Sequence, residues 1–153
     1  MELDLVVKHL AEKNITVGAA ESITGGMFAS MFTSIPGSSK VFKGSIVSYS
    51  TVIKENLLDV GSDLVNSVGV ISKECALKMA KSAKKLLGVD MAISFTGNAG
   101  PEAMEGKPIG LVYLGIAYQN KVNVYKLQLT GSRKEIREKC CEYAFRLINE
   151  KII

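Results

Sequence analysis

Strand-like and helix-like segments alternate along the first part of this 153-residue sequence, and two strand-like segments follow one another near its end. Alternation is typical of parallel strands joined by helices, whereas the late pair is typical of an antiparallel hairpin. We therefore predict a three-layer α/β/α domain with a mixed central sheet. The predicted helices cover residues 2–14, a segment ending near 34, 51–60, 72–87 and a last segment from 132 onward; the predicted strands cover residues 15–20, 41–50, 89–95, 109–118 and 122–129.

The composition indicates a folded domain without a membrane segment. Hydrophobic residues make up 47% of the sequence and charged residues 22%, and the length suits one domain spanning residues 1–153. The net charge of +4 is mild, and no stripe of basic and aromatic residues indicates a nucleic-acid surface. The sequence begins with an acidic segment and contains no apolar run long enough for a signal peptide or a membrane span. We therefore expect a cytoplasmic protein.

The cysteines and the single histidine limit the chemistry that this chain can perform. Cys75, Cys140 and Cys141 are odd in number and include an adjacent pair, which is a poor pattern for a disulfide framework or a metal site. We interpret all three as reduced, buried helix residues. His9 lies in the first predicted helix with no motif beside it. A serine nucleophile in this chain would therefore more readily use a lysine as its base than a histidine.

The segment Ala20–Gly26 lies on a predicted strand-to-helix turn. Unpaired backbone N–H groups and the helix dipole at such a turn favour negative charge, so Ser22 could bind a phosphate or act as a nucleophile beside an oxyanion hole. Ser22 could equally be an ordinary N-cap, which is the commonest role of serine at a helix start. Gly25 and Gly26 cost stability in a helix, which close approach of a ligand or tight packing would justify.

Two more polar clusters follow predicted strands. One is Ser48–Ser50, with Lys54 one turn into the next helix, and the other is the glycine-rich segment Thr96–Pro101. Because ligand sites in open α/β sheets lie at the carboxyl ends of strands, we expect these clusters to meet near Ser22. Neither Ala20–Gly26 nor Thr96–Pro101 contains a P-loop or a dinucleotide-binding fingerprint.

The residues alone leave several roles open. Lys54 is either an exposed, salt-bridged residue or a desolvated base that takes the Ser22 proton. Tyr49 is either a core aromatic or a hydrogen-bond relay. The segment Pro36–Lys40 either supplies anion-binding donors or is a plain turn.

Five motifs in order resemble the C-terminal domain of the CinA (competence/damage-inducible) family, and the resemblance covers essentially the whole chain. It implies an α/β/α domain that hydrolyses the carboxamide of nicotinamide mononucleotide, with no metal or organic cofactor, and that forms a homodimer. The motifs are Ala20–Gly26, Pro36–Ser39, Tyr49–Val60, Thr96–Pro101 and Lys107–Gly110.

The resemblance also implies roles for single residues. Ser22 resembles the nucleophile and Lys54 the general base, with Tyr49 in the same hydrogen-bonded group. Two departures could alter the substrate: Asn98 stands where the family usually has isoleucine, and residues 102–106 replace a glycine-rich segment. The implied substrate-binding positions are Thr24, Gly25, Gly26, Ser38, Ser39, Thr96, Gly97, Gly100 and, for the phosphate, Arg133.

Two other functions remain compatible with the sequence. The glycine-rich turns and the mild positive charge also suit a non-catalytic module that binds a nucleotide or phosphate, or an accessory protein in DNA uptake. A degenerate family member would keep the same residues in purely structural roles.

Overall fold

The computed structural model describes residues 3–153, which form a five-stranded sheet between two layers of helices. The strands are β1 (Val17–Glu21), β2 (Phe42–Val47), β3 (Met91–Gly97), β4 (Leu111–Tyr118) and β5 (Lys121–Gln128), and the helices are α1 (Leu3–Glu12), α2 (Met27–Thr33), α3 (Thr51–Leu58), α4 (Ser62–Ser67), α5 (Lys73–Leu87) and α6 (Arg133–Ile152).

The sheet is mixed, with strand order β2-β1-β3-β4-β5. β1 pairs in parallel with both β2 and β3, so that Ala20 lies between Ile46 and Ser94. β4 runs antiparallel to both β3 and β5. The three parallel strands therefore end at the same edge of the sheet, and this edge is where the polar clusters of the sequence are found.

Apolar side chains on the two faces of the sheet form two cores. Helices α1, α2 and α6 cover one face, where Phe28 of α2 stacks on Phe145 of α6 with ring centroids 4.8 Å apart. Helices α3 and α5 cover the other face, where Leu58 and Met79 are fully buried. The predicted three-layer α/β/α fold with a mixed sheet is confirmed.

The predicted elements differ from the structure mainly at their ends. The first helix covers Leu3–Glu12 and its predicted start at residue 2 lies outside the described residues, while β2 ends at Val47 rather than at residue 50. Helix α4 was not predicted, because its six residues fully bury no side chain and are too few to show apolar periodicity. The last helix starts where it was predicted, with a capping box between Ser132 and Glu135. None of the helices within residues 3–153 is long and apolar enough to cross a lipid bilayer.

Candidate active site

The carboxyl ends of β1, β2 and β3 border a small cavity of about 110 Å³. Apolar side chains, among them Val70, Ile71 and Met104, form part of its wall. The three polar clusters of the sequence do meet here, as the parallel arrangement of the strands requires. Of the positions predicted from the sequence, Ser22, Tyr49, Lys54, Thr96, Gly97 and Arg133 line the cavity.

Ser22 and Lys54 are in direct contact. The Lys54 Nζ atom lies 2.9 Å from the Ser22 Oγ atom and donates a second hydrogen bond of 2.7 Å to the backbone carbonyl of Ser48. Lys54 reaches this position because Ser50 caps α3 by accepting from the Ile53 N–H, which starts the helix one turn before the lysine. The serine hydroxyl therefore has a nitrogen base within hydrogen-bonding reach.

The Lys54 side chain is buried, with 2% of its surface exposed, and it has no carboxylate at ion-pair distance within residues 3–153. Burial lowers the pKa of Lys54 below its ordinary value of 10.5, an effect that the Glu105 carboxylate partly opposes. A lowered pKa increases the neutral fraction of the amine near neutral pH, and only the neutral amine accepts a proton. The exposed, salt-bridged alternative for Lys54 is therefore wrong.

The Glu21 carboxylate occupies the N-terminus of α2. It accepts hydrogen bonds from the backbone N–H groups of Gly26, Phe28 and Ala29 at 3.2, 2.9 and 3.2 Å, and from the Ser45 hydroxyl at 2.7 Å. These N–H groups therefore cannot bind a substrate anion.

This arrangement corrects the predictions made for the turn. The N-cap position of α2 is Gly26, so the alternative that Ser22 caps the helix is wrong. Thr24, Gly25 and Gly26 are not among the residues that line the cavity. Gly25 and Gly26 have φ angles of 53° and 100°, which favour glycine. The positive φ angles of these two glycines form the turn. Arg137 stabilises the turn by donating to the carbonyls of Ile23 and Thr24 at 3.0 and 2.9 Å.

Arg133 lies at the mouth of the cavity, held by two hydrogen bonds. Its Nη1 donates to the Gly100 carbonyl at 2.6 Å, and its Nη2 donates to the Tyr49 hydroxyl at 3.0 Å. Tyr49 is 63% exposed, so the core-aromatic alternative is wrong, and its hydroxyl bonds Arg133 rather than Ser22 or Lys54. Gly100 contributes a carbonyl that positions Arg133 instead of an N–H group for an anion, because its own N–H donates to the Asn98 side chain.

Thr96 and Gly97 line the cavity beside Ser22. The Thr96 hydroxyl donates to the Val70 carbonyl at 2.6 Å, so its proton is already used. A Cβ atom on Gly97 would lie 2.7 Å from the Leu111 carbonyl oxygen, so glycine here permits close pairing of β3 with β4. These contacts favour a structural role in shaping the cavity wall for both residues.

Ser38 and Ser39 lie far from Ser22. They belong to a short 3-10 helix that precedes β2. The carbonyl of Val41, which directly follows this helix, accepts from the Val17 N–H at the start of β1. This position is at the amino ends of the parallel strands, opposite the cavity, so within one chain these serines do not line the site. The plain-turn interpretation fits Pro36–Lys40.

The histidine and the cysteines take no part in the cavity. His9 contacts Asn149 of α6 through Nδ1 at 2.8 Å, and neither residue lines the cavity. Cys75, Cys140 and Cys141 are free and buried, as predicted. Within residues 3–153, no group of three or more His, Cys, Asp or Glu side chains could hold a metal ion.

A family model for the CinA C-terminal domain matches residues 2–152. The chain belongs to the CinA family. A putative competence-damage inducible protein of Oceanobacillus iheyensis is 44% identical over 146 residues, covering 95% of this chain and 35% of that relative. One of Bacillus subtilis is 44% identical over 147 residues, covering 96% and 35%. This CinA domain therefore spans about a third of the length of these curated relatives.

Solved structures of CinA proteins have the same fold. The competence/damage inducible protein CihA from Agrobacterium tumefaciens superposes with a TM-score of 0.89 at 30% identity, covering 97% of this chain and 94% of that chain. A CinA superfamily protein from Klebsiella pneumoniae gives a TM-score of 0.94, covering 99% and 98%, and at 24% identity this likeness concerns the fold alone. The family resemblance seen in the motifs is confirmed.

The two departures from the CinA pattern have structural roles. The buried Asn98 side chain donates to the Lys107 carbonyl at 3.3 Å and accepts from the Gly100 N–H at 3.2 Å. It therefore stabilises the loop between β3 and β4 by bonding two backbone groups of that loop. In the altered 102–106 segment, Glu105 accepts from the N–H groups of Val70 and Ile71, both at 3.0 Å. Neither departure disturbs the contact between Ser22 and Lys54.

Sequence reasoning missed three charged residues that hold the site together, namely Glu21, Glu105 and Arg137. Each one bonds backbone groups that are distant in the chain or hidden in a turn, and such partners leave no periodic signal. For Glu21 a clue was present, because an acidic residue ending a buried strand must find several donors.

Proposed function

We propose that this CinA domain hydrolyses the carboxamide of nicotinamide mononucleotide to nicotinic acid mononucleotide and ammonia, with Ser22 as nucleophile and Lys54 as general base. The proposal rests on one observation, the 2.9 Å contact between Ser22 Oγ and a buried Lys54 amine. A serine beside a desolvated lysine is the arrangement that acyl transfer requires when no histidine is near.

In the first half-reaction, the neutral Lys54 amine accepts the Ser22 proton as Oγ attacks the carboxamide carbon. We assign the backbone N–H of Ile23 as the oxyanion donor, because it makes no hydrogen bond within residues 3–153 and Ile23 borders the cavity. The Lys54 ammonium then returns the proton to the amide nitrogen. The C–N bond breaks, ammonia leaves, and the acyl group stays on Ser22.

In the second half-reaction, a water molecule gives a proton to Lys54 as its oxygen attacks the acyl carbon. The ester bond breaks, Lys54 returns the proton to Ser22 Oγ, and the carboxylic acid leaves. Throughout, the Ser48 carbonyl holds Nζ at 2.7 Å and so keeps the amine directed at the serine. These steps need neither a metal ion nor an organic cofactor.

The cavity suits the amide-bearing ring of a nucleotide rather than the whole molecule. Its volume of about 110 Å³ is well below the ~300 Å³ at which pockets hold a complete drug-sized ligand. The ribose and phosphate would therefore lie at the mouth, beside Tyr49 and Arg133. An arginine fork there matches the geometry of a phosphate.

The decisive measurement is ammonia release from nicotinamide mononucleotide by the wild type, by Ser22→Ala and by Ser30→Ala. Ser30 is the matched control, because it is an exposed serine on the nearby helix α2. We expect turnover by the wild type and Ser30→Ala, and at least a 10³-fold loss in Ser22→Ala. Absence of wild-type turnover, or full turnover by Ser22→Ala, would refute the proposal. Binding of the nucleotide without turnover would favour the non-catalytic module instead.

Replacing Arg133 with alanine should weaken binding of the phosphate. A charge-assisted hydrogen bond is worth about 1.5–3 kcal/mol, so we expect KM for nicotinamide mononucleotide to rise roughly 10- to 100-fold. The KM for nicotinamide riboside, which lacks the phosphate, should stay within about twofold of the wild-type value. Steady-state kinetics with both substrates measure this difference.

Arg146→Ala is the control for Arg133→Ala, since it removes an exposed arginine that packs on Tyr143 near the other end of α6. It should leave both KM values unchanged. Equal increases of KM for the nucleotide and the riboside in Arg133→Ala would contradict phosphate recognition.

A further inference from the structure

Glu105, in the loop between β3 and β4, makes three side-chain hydrogen bonds, as does Lys107 of the same loop. Its carboxylate accepts from the N–H groups of Val70 and Ile71 at 3.0 Å each and receives the Lys107 ammonium at 3.0 Å. Partial burial acts to raise the pKa of Glu105, but these donors hold it below its ordinary value of 4.5. The side chain is therefore ionised at neutral pH.

Lys107 and Gly69 complete this attachment. The Lys107 ammonium donates to the carbonyls of Val68, at 2.7 Å, and Ile71, so that it bonds the same segment as Glu105. Gly69 has a φ angle of 79°, and a Cβ atom there would lie 2.5 Å from Glu105 Oε2. Only glycine at position 69 therefore lets the carboxylate reach the two N–H groups.

The attached segments form one wall of the candidate active site. Val70, Ile71 and Met104 line the cavity that contains Ser22 and Lys54. The Val70 carbonyl accepts a hydrogen bond from the Thr96 hydroxyl at 2.6 Å. This carbonyl belongs to the same peptide group as the Ile71 N–H, which donates to Glu105. One carboxylate thus connects residues 68–71, the loop 102–107 and, through Val70, strand β3.

We propose that Glu105 is a positioning residue for the reaction: its carboxylate attaches the 102–107 loop to Val70 and Ile71 and so fixes the cavity wall against the substrate. The inference deepens the proposed function and rests on it for its kinetic readouts. Its structural part can be measured without any substrate.

The ionised groups around Lys54 determine the direction in which Glu105 shifts the pKa of the Lys54 amine. The groups that influence the Lys54 amine are Cys75 of α5 and Glu105, which is paired with Lys107. Tyr49 and Arg133 line the same cavity. Burial raises the pKa of the Cys75 thiol to about 11, so that this group is neutral at working pH. Glu105 therefore supplies the negative charge, which favours the ammonium form of Lys54. Removing that charge should lower the pKa of Lys54 further.

Two substitutions weaken the attachment in different ways. Glu105→Gln keeps the length of the side chain but replaces one acceptor oxygen by an NH2 group, so that one of the bonds from the Val70 and Ile71 N–H groups is lost together with the charge. KM should rise, and the acid limb of kcat/KM should move to lower pH by about half a unit because the negative charge is gone. Glu105→Asp keeps the charge but shortens the side chain by one methylene group, so that the carboxylate no longer reaches the N–H groups of Val70 and Ile71. Here KM should rise about fivefold with kcat little changed, as expected for loss of one net hydrogen bond that acts equally in ground and transition states.

Glu102→Gln is the matched control, because it removes a carboxylate from the same loop at an exposed position. It should shift neither the acid limb nor KM. An unmoved KM in Glu105→Asp would overturn the inference, whatever the acid limb of Glu105→Gln does.

One readout distinguishes failure of this inference from failure of the proposed function. Amide hydrogen exchange at Val70 and Ile71 should be at least tenfold faster in Glu105→Asp than in the wild type or Glu102→Gln. If the wild type does not hydrolyse the nucleotide, this result alone supports the inference when it occurs and overturns it when it is absent.

Discussion

Replacing Lys54 with methionine is expected to lower kcat for nicotinamide mononucleotide by about 10³-fold while leaving the protein folded. Methionine fills a similar buried volume but has no amine, so Ser22 loses the group that takes its proton. General-base catalysis contributes about 10²–10⁴-fold, which sets the size of the loss. Single-turnover ammonia release at saturating substrate measures this effect directly.

The same substitution should not destabilise the fold. Lys54 is 2% exposed, and a buried amine loses solvation that an apolar side chain does not need. The Ser48 carbonyl loses its donor, so the two effects largely offset, and the thermal midpoint should change by less than about 3 °C.

Lys8→Met is the matched control for Lys54→Met, since Lys8 is an exposed residue of α1 that pairs with Glu12 at 3.9 Å. It should change neither kcat nor the thermal midpoint. A kcat for Lys54→Met within tenfold of the wild type would exclude Lys54 as the general base.

The largest effect on stability is expected from Glu21→Ala. The substitution leaves the N–H groups of Gly26, Phe28 and Ala29 and the Ser45 hydroxyl without their acceptor, in a place where Glu21 itself is fully buried. Each unsatisfied buried donor costs about 1–3 kcal/mol, and relaxation recovers part of this. We expect the free energy of unfolding to fall by about 4 kcal/mol, equivalent to a decrease of roughly 2 M in the urea midpoint.

Circular dichroism during urea titration measures the effect of Glu21→Ala, and two further variants calibrate it. Glu21→Gln keeps one acceptor oxygen and should lose less than Glu21→Ala. Glu12→Ala removes only an exposed ion pair with Lys8 and should cost under about 0.5 kcal/mol. A loss below 1 kcal/mol in Glu21→Ala would mean that helix α2 does not depend on this carboxylate.

The parts of the site that follow from sheet topology could be predicted from the sequence. Ser22 and Lys54 follow β1 and β2, and Thr96 lies at the end of β3. The parallel order of these strands forces their carboxyl ends to one edge, so the meeting of the three residues requires no knowledge of side-chain packing. The same reasoning would have placed Ser38 and Ser39 correctly, because a turn that precedes a parallel strand must lie at the opposite edge. Their predicted role came from the motif alone.

Other contacts could not be predicted, because they depend on how whole elements pack. Tyr49 meets Arg133 only because α6 begins beside the end of β2, and these two residues are 84 positions apart in the sequence. Glu105 reaches Val70 and Ile71 only because Gly69 leaves room for it. Residue type indicates which chemistry is available, but not which distant backbone group will be the partner.

In the proposed mechanism, the parallel pairing of β1 with β3 also determines when Ser22 becomes able to react. Val17 pairs with Met91, so the central strands cannot join until more than half of the chain is available. Before that moment Lys54 is a hydrated ammonium ion and Ser22 an ordinary alcohol. On this proposal the serine is therefore unreactive in nascent or partly folded chains.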